Sequence, residues 1–231
     1  MLLLAVDTSV RQGSIALART SQSPAKGNNL LNAVEVIEVA PLAGGAFSAQ
    51  LIPQVAALLT AHGFTKNDID GFVVASGPGS FTGLRVGLAA VKALAEVLAK
   101  PIAAVSLLEA LALAADSQGR VIAVLDAGRG EVYAGEYEVS GDTSTPVREQ
   151  LLTKAEAFAN ARQSVLATSD KNLSEAAAAA GVSVSLVDVL DAGSIAALGW
   201  RKINAGDIVS PENLEANYIR RTDAEILLKI S

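Results

Sequence analysis

The 231-residue sequence contains no cysteine and a single histidine, His62. The first absence excludes a disulfide framework, a thiolate nucleophile and Cys-ligated zinc, and the second leaves no two-histidine metal site. Positive charge is scarce as well: 18 Lys and Arg stand against 24 Asp and Glu, a formal net charge of -6. Gripping a phosphate backbone needs a concentrated positive surface, so any nucleic-acid role has to work through a partner. The start of the chain also lacks a targeting or membrane-spanning signal, because residues 1–6 have no basic flank and meet Asp7 at once. A cytoplasmic address without membrane contact is therefore expected. What the chain does have is apolar residues, 51% of the total against 18% charged, enough for a substantial core in one large domain or two small ones.

Periodicity sets out the elements. Residues 2–9 (LLLAVDTS) and 13–20 (GSIALART) flank the short Val10-Arg11-Gln12-Gly13 connection and predict a hairpin. Residues 21–30 form a loop by their Ser, Pro, Asn and Gly content, and 34–40 alternate apolar with acidic residues, like a strand exposed on one face. Over 48–62, Leu51, Ile52, Val55, Leu58 and Leu59 recur at helical spacing, with Ser48 as candidate N-cap and Gly63 as the stop. Pro53 lies too deep for the first turn of that helix and predicts a kink or a later start. A buried strand at 71–76, a long helix at 80–99, a strand at 101–105 and a helix at 106–115 complete the order βββαβαβα.

The second half repeats it. Strands at 121–128 and 131–139 make a tight hairpin, followed by a weaker strand at 146–152, a short helix at 154–161, a strand at 164–169, a helix at 172–180, a strand at 182–188 and a helix at 194–204. The segments LLAVDTSVRQGSIALA and IAVLDAGRGEVYAGEY share a strand ending in Asp, a small-residue turn with glycine and an alternating return strand. We read this as an internal duplication. Two tandem βββαβαβα lobes resemble the actin, hexokinase and heat-shock ATPase architecture, so the expected fold class is α/β with a reduced second lobe. The lobes are cut near residue 105, giving 1–105 and 106–231, with the C-terminal helix a candidate to return to the first lobe. In that architecture the two hairpin turns hold ATP phosphates and their Asp organises magnesium, which maps a vestigial nucleotide cleft onto Asp7, Thr8, Ser9, Asp126 and Gly128. The same residues also read as ordinary turns with solvated acids.

The most unusual stretch is Ser76-Gly77-Pro78-Gly79-Ser80-Phe81-Thr82-Gly83-Leu84-Arg85-Val86-Gly87, which joins a buried strand to a long helix. It lacks the lysine of a Walker A loop and the glycine spacing of a dinucleotide-binding turn. Gly83 and Gly87 share one face of the helix, and each glycine inside a helix costs about 1 kcal/mol relative to alanine, so something must come close to that face. The visitor is either the lobe's own sheet or another backbone. Leu84, Leu88, Val91, Leu94, Ala95 and Leu98 form an apolar stripe beside it.

With AVDTS (5–9), SGPGSFTGLRVG (76–87), PIAAVSLLEALA (101–112), LDAGRGEVYAG (125–135) and ANYIRRTDAE (216–225) in this order, the sequence resembles the TsaB family. These are the dimerisation subunits of the bacterial system that makes threonylcarbamoyladenosine in tRNA. The resemblance implies a non-catalytic partner of the paralogous TsaD, which transfers the threonylcarbamoyl group to N6 of adenosine 37 in tRNAs reading ANN codons. It further implies docking of the TsaE-type ATPase, contact with tRNA only through the complex, and a homodimer when the chain is alone. No cofactor is implied for this chain itself, with ATP or ADP placed at the complex interface. TsaD carries a paired-histidine metal site on the first helix of this fold, whereas Phe47-Ser48-Ala49-Gln50-Leu51 here holds no histidine. Phe47 also stands where the family commonly has a histidine.

The partner surface implied lies on helices 48–62 and 80–99: Leu51, Val55, Leu58, Gly77, Pro78, Gly79, Ser80, Phe81, Thr82, Gly83, Leu84, Arg85, Gly87 and Val91. Two other readings compete. An autonomous magnesium-dependent ATPase or small-molecule kinase would use Asp7 and Asp126, although only an isolated Gly193 stands where such enzymes carry paired glycines. A peptidase could draw only on a Ser-His-Asp triad through His62. Arg220-Arg221 reads as a guide for tRNA or an acidic surface, or as a solvated pair beside Asp223 and Glu225.

Overall fold

The computed structural model describes residues 1–20 and 34–219, so the loop expected over 21–30 and the Arg220-Arg221 pair lie outside the described residues. Two compact units form: Met1–Ala110 with Val189–Ala216, and Leu111–Asp188 with Asn217 and the described residues after it.

In the first unit the apolar run at residues 2–6, continued by Asp7, becomes β1 (Leu2–Asp7), buried along its whole length, as suits a central strand covered on both faces. Around it stand β2 (Gly13–Thr20), β3 (Val34–Leu42), β4 (Gly71–Gly77) and β5 (Ile102–Ser106) in the order β3-β2-β1-β4-β5. β2 runs antiparallel to β1 and β3, while β1, β4 and β5 are parallel. Leu2, Leu4 and Val6 enter one core with the inner faces of α1 (Phe47–Ala61) and α2 (Phe81–Leu98).

The second unit holds β6 (Gly119–Gly128), β7 (Glu131–Ser140), β8 (Thr143–Thr153), β9 (Val165–Thr168) and β10 (Ser183–Leu186), with α4 (Lys154–Asn160) and α5 (Lys171–Ala179). Its sheet runs β10-β9-β6-β7-β8, again with an antiparallel trio followed by parallel strands. Numbered within its own unit, each sheet reads 3-2-1-4-5, so the duplication seen in the sequence is a duplication of topology. Ile122, Val124, Val132 and Leu166 build this unit's core against α4 and α5. β8 is longer than its pattern suggested, because it pairs with the full length of β7. Pro146 is accommodated at a register shift on this edge strand.

Two helices depart from expectation. α1 starts at Phe47 after Ala46, with no side-chain cap, so Ser48 is a first-turn residue and not the N-cap. The helix does not begin later to spare Pro53, which sits inside it on the exposed side. The helix expected at 194–204 is α6 (Ala192–Ala205), capped by Asp191 and packed across β1, β2, β4 and β5. It therefore belongs with the first sheet, and the first compact unit extends to Ala110 and not to 105; α3 (Leu107–Ala114) spans that junction. Beyond α6 the chain covers the β5 edge: the Val209 N–H donates to the Ile102 carbonyl at 2.9 Å, and Leu214 is buried in the first core.

Gly199 explains how α6 comes so close to the sheet, since a Cβ built there would lie 2.2 Å from Val73 Cγ1. Val73 is β-branched and fully buried, so neither side has room to move. Gly199→Ala is expected to lower stability by about 1–3 kcal/mol in urea unfolding, against a neutral outcome if α6 were only loosely docked.

Candidate functional site

The turn after β1 is closed by the chain itself. Asp7, Thr8 and Ser9 are 1–2% exposed. The Ser9 N–H donates to Asp7 Oδ1 at 2.8 Å, joined there by the Ser9 hydroxyl. The Thr8 hydroxyl donates to the Gly83 carbonyl at 2.8 Å, and the Ser80 N–H donates to the Ser9 carbonyl at 2.6 Å. Ser80 is the N-cap of α2, its hydroxyl accepting the Gly83 N–H. A Cβ at Gly79, Gly83 or Gly87 would come within 2.4 Å of Ser9 O, 2.0 Å of Thr8 O and 2.3 Å of Thr8 Oγ1, respectively. The visitor to the glycine face is thus the chain's own β1 turn.

This corrects two expectations. Gly83, Leu84, Gly87 and Val91 are buried and face the core, as are Leu51, Val55 and Leu58 of α1, with Gly77 and Pro78 buried at the end of β4. Expected at a surface, they are instead spent on the first unit's own core and turn. Gly79 is half-buried against Ser9. In the first-unit half of the expected nucleotide cleft, the Thr8 hydroxyl and the Ser9 carbonyl are engaged by α2 and its N-cap, while the Ser9 hydroxyl and N–H turn back to Asp7. Asp126, in the second unit, is about half exposed and meets Lys154 in a loose ion pair at 3.9 Å, with Gly128 at φ +74.

Burial pushes the Asp7 carboxyl up from its ordinary value, the Ser9 hydroxyl and N–H pull it back, and the nearby Asp191 carboxylate raises it further. His62 lies at the end of α1 with Nε2 2.6 Å from Glu38 Oε2, which gives the triad reading no support. Among the described residues no three His, Cys, Asp or Glu side chains come together as a metal site.

What α1 and α2 leave outside is a shallow apolar groove of about 460 Å³ between them. Ile52, 49% exposed, and Ser48 line the α1 side above Leu51; Phe81, Arg85 and Ala89 line the α2 side. The Arg85 guanidinium lies 3.8 Å above the Phe81 ring, a cation–π contact that holds both side chains at the rim. Ser80, Phe81, Thr82 and Arg85 are thus the expected surface residues that do reach solvent. Ile52 and Ala89 also line the groove and lie outside the set of residues expected at a partner surface. The signal for Ala89 was available, because it lies across the helix from the glycines, and a glycine face turned inward turns it out.

Two duplicated sheets with a hairpin-first order, and a first turn capped by a glycine-faced helix, define an actin-like α/β protein. The TsaD family, described as tRNA N6-adenosine threonylcarbamoyltransferase, matches residues 39–201, and the chain belongs to it. It is 37% identical over 139 residues to the tRNA threonylcarbamoyladenosine biosynthesis protein TsaB of Bacillus subtilis, which covers 60% of this chain and 56% of that protein. The TsaB protein of Escherichia coli is 33% identical over 141 residues, 60% of this chain and 55% of that one. The matched stretch spans little more than half of these curated relatives. A crystal structure of a Pseudomonas aeruginosa protein with similarity to peptidase YEAZ superposes with a TM-score of 0.71 at 25% identity, over 95% of this chain and 99% of that one. The TsaB resemblance and the fold class read from the sequence are borne out by these relatives.

Asp7 carries a testable consequence. A carboxyl whose folded value is raised stabilises the fold fully below its unfolded value, and that contribution is lost as pH rises through the folded value. Asp7→Asn keeps an acceptor for Ser9 without the charge. Its thermal midpoint is expected to exceed that of the parent chain near pH 8 and to converge with it near about pH 4; a midpoint lower at both ends would contradict the electrostatic account.

Proposed function

We propose that this chain is a non-catalytic, TsaB-type subunit that binds a TsaD-like catalytic paralogue and supports threonylcarbamoyl transfer to N6 of adenosine 37 in tRNAs reading ANN codons. The observation that carries the reading is the exposed α1–α2 groove: an apolar surface with Ile52 and Phe81 at its lips, backed by a helix pair locked to the central strand. Large apolar side chains left exposed together mark an interaction surface. The relatives supply the setting, as proteins named for threonylcarbamoyladenosine biosynthesis. Catalysis is assigned to the paralogue because the Phe47–Leu51 stretch of α1 offers no histidine to a metal. The tRNA is met through the complex, as suits a chain of net charge -6. A TsaE-like ATPase and a nucleotide at the complex interface complete the assembly, in the cytoplasm. No helix among the described residues is long and apolar enough to cross a membrane.

The test is tRNA modification by TsaD, TsaE and the threonylcarbamoyl-adenylate synthase, with and without this chain, and with this chain in place of TsaD. Activity should require the chain beside TsaD and never appear when it replaces TsaD. Ile52→Asp puts a charge into the groove without touching the core, and it should weaken TsaD binding by about 30-fold or more, roughly 2 kcal/mol. Modification that proceeds equally well without the chain would sink the proposal.

A further inference from the structure

Close glycine contacts bring both helices of the groove onto one piece of backbone. β3 and β4 run in the direction of β1, so α1 and α2, which follow them, both start beside the turn that joins β1 to β2. Thr8 and Ser9, at the first end of that turn, seat α2 through Gly79, Gly83 and Gly87. The other end of the turn seats α1. A Cβ built on Gly44, in the loop that leads into α1, would lie 2.1 Å from the Arg11 carbonyl oxygen. A Cβ on Gly13 would lie 2.9 Å from Cε1 of Phe47, the first residue of α1. No side chain caps α1, and its first turn is tied back instead by Gln50, whose Oε1 accepts the Ala43 N–H at 3.1 Å. The start of α1 is thus placed by contact with the turn, as the start of α2 is.

We infer that residues 8–13 are the spacer that fixes the separation of α1 and α2, and that Gly13 and Gly44 are positioning residues for partner binding although neither lines the groove. The inference rests on the reading of the groove as a protein-binding face. Ser48 of the groove follows Phe47 directly and Thr82 precedes Gly83 directly, so a shift at either helix start is carried straight into the lining. A methyl group at Gly44 needs about 1 Å of extra room, since carbon and carbonyl oxygen rest about 3.3 Å apart. α2 is hydrogen-bonded to the turn, so the loop into α1 gives way and the groove widens at Ser48. Binding surfaces tolerate misplacement of about 0.5 Å, and a shift of this size is read as lost affinity. Gly45 supplies the control: it adjoins Gly44 at φ +84 with nothing within 4 Å of a built Cβ, so alanine there strains the loop without pushing on the turn.

The chain has no cysteine, so spin labels on Ala49→Cys and Ala93→Cys, exposed on α1 and α2, report the helix separation by pulsed electron paramagnetic resonance. Binding to TsaD is measured beside it on the unlabelled full chain. Gly44→Ala is expected to lengthen the mean distance by about 1 Å or more and to weaken TsaD binding about tenfold. Gly45→Ala should lower the melting temperature yet leave the distance unchanged and the affinity within about twofold. An unmoved distance in folded Gly44→Ala, or equal losses of affinity from the two variants, would overturn the spacer. A lengthened distance with unchanged affinity would overturn its part in binding. If Gly44→Ala does not fold, Phe47→Leu takes its place: freeing Gly13 from the ring should broaden the distance distribution, and one as narrow as the parent's would overturn the inference. Failure of the parent chain to bind TsaD would remove the proposed function instead, and the distances would still decide the spacer.

Discussion

The structure of the first unit depends on the seating of α2 on the end of β1. Gly79 and Gly83 let backbone meet backbone at Ser9 and Thr8, Gly87 makes room for the Thr8 side chain, and two hydrogen bonds fix the contact, one from the Thr8 hydroxyl and one from the Ser80 N–H. Any side chain in place of Gly83 would overlap the Thr8 carbonyl, so the approach is available only to glycine. Once α2 is held there, the directions of its remaining side chains follow from helix geometry. Leu84, Leu88 and Val91 go to the core, while Phe81, Arg85 and Ala89 go to solvent beside α1.

The same contact changes the chemistry of the β1 turn. The Thr8 and Ser9 hydroxyls are hydrogen-bonded inside the protein, and Asp7 is left as a desolvated carboxyl near Asp191. A buried acid of this kind weakens the fold at neutral pH, and the stability it costs has to come from the surrounding core. Closing the turn and seating α2 against the central strand are one event.

The second unit shows how far duplication alone carries. Its sheet has the same order, yet α4 is only Lys154–Asn160 and the Asp126 turn stays exposed. The counterpart of α2 there, following the fourth strand, is α5, half as long and capped by the Asp170 side chain, which accepts the Asn172 and Leu173 N–H groups. α6 further complicates the division, since the helix that ends the second repeat packs on the first sheet, through Gly199 on Val73.

The strand and helix order, the duplicated hairpins and the requirement for a close approach at Gly83 and Gly87 were all legible in the sequence. Each depends on local periodicity or on the conformational cost of a single residue type. The family resemblance was legible in the SGPGSFTGLRVG block, where Gly79, Ser80, Gly83 and Gly87 make the contact with the β1 turn. Which body fills the glycine notch was not legible: a partner's backbone and the chain's own β1 turn make the same demand on sequence. Only the tertiary structure chose the turn, and that choice moved Leu51, Val55, Leu58 and Val91 from the expected interface into the core and left Ile52 and Ala89 outside. It also placed α6 on the first sheet. A helix records in its sequence that one face is apolar, but the surface that covers that face is decided by how the whole chain packs.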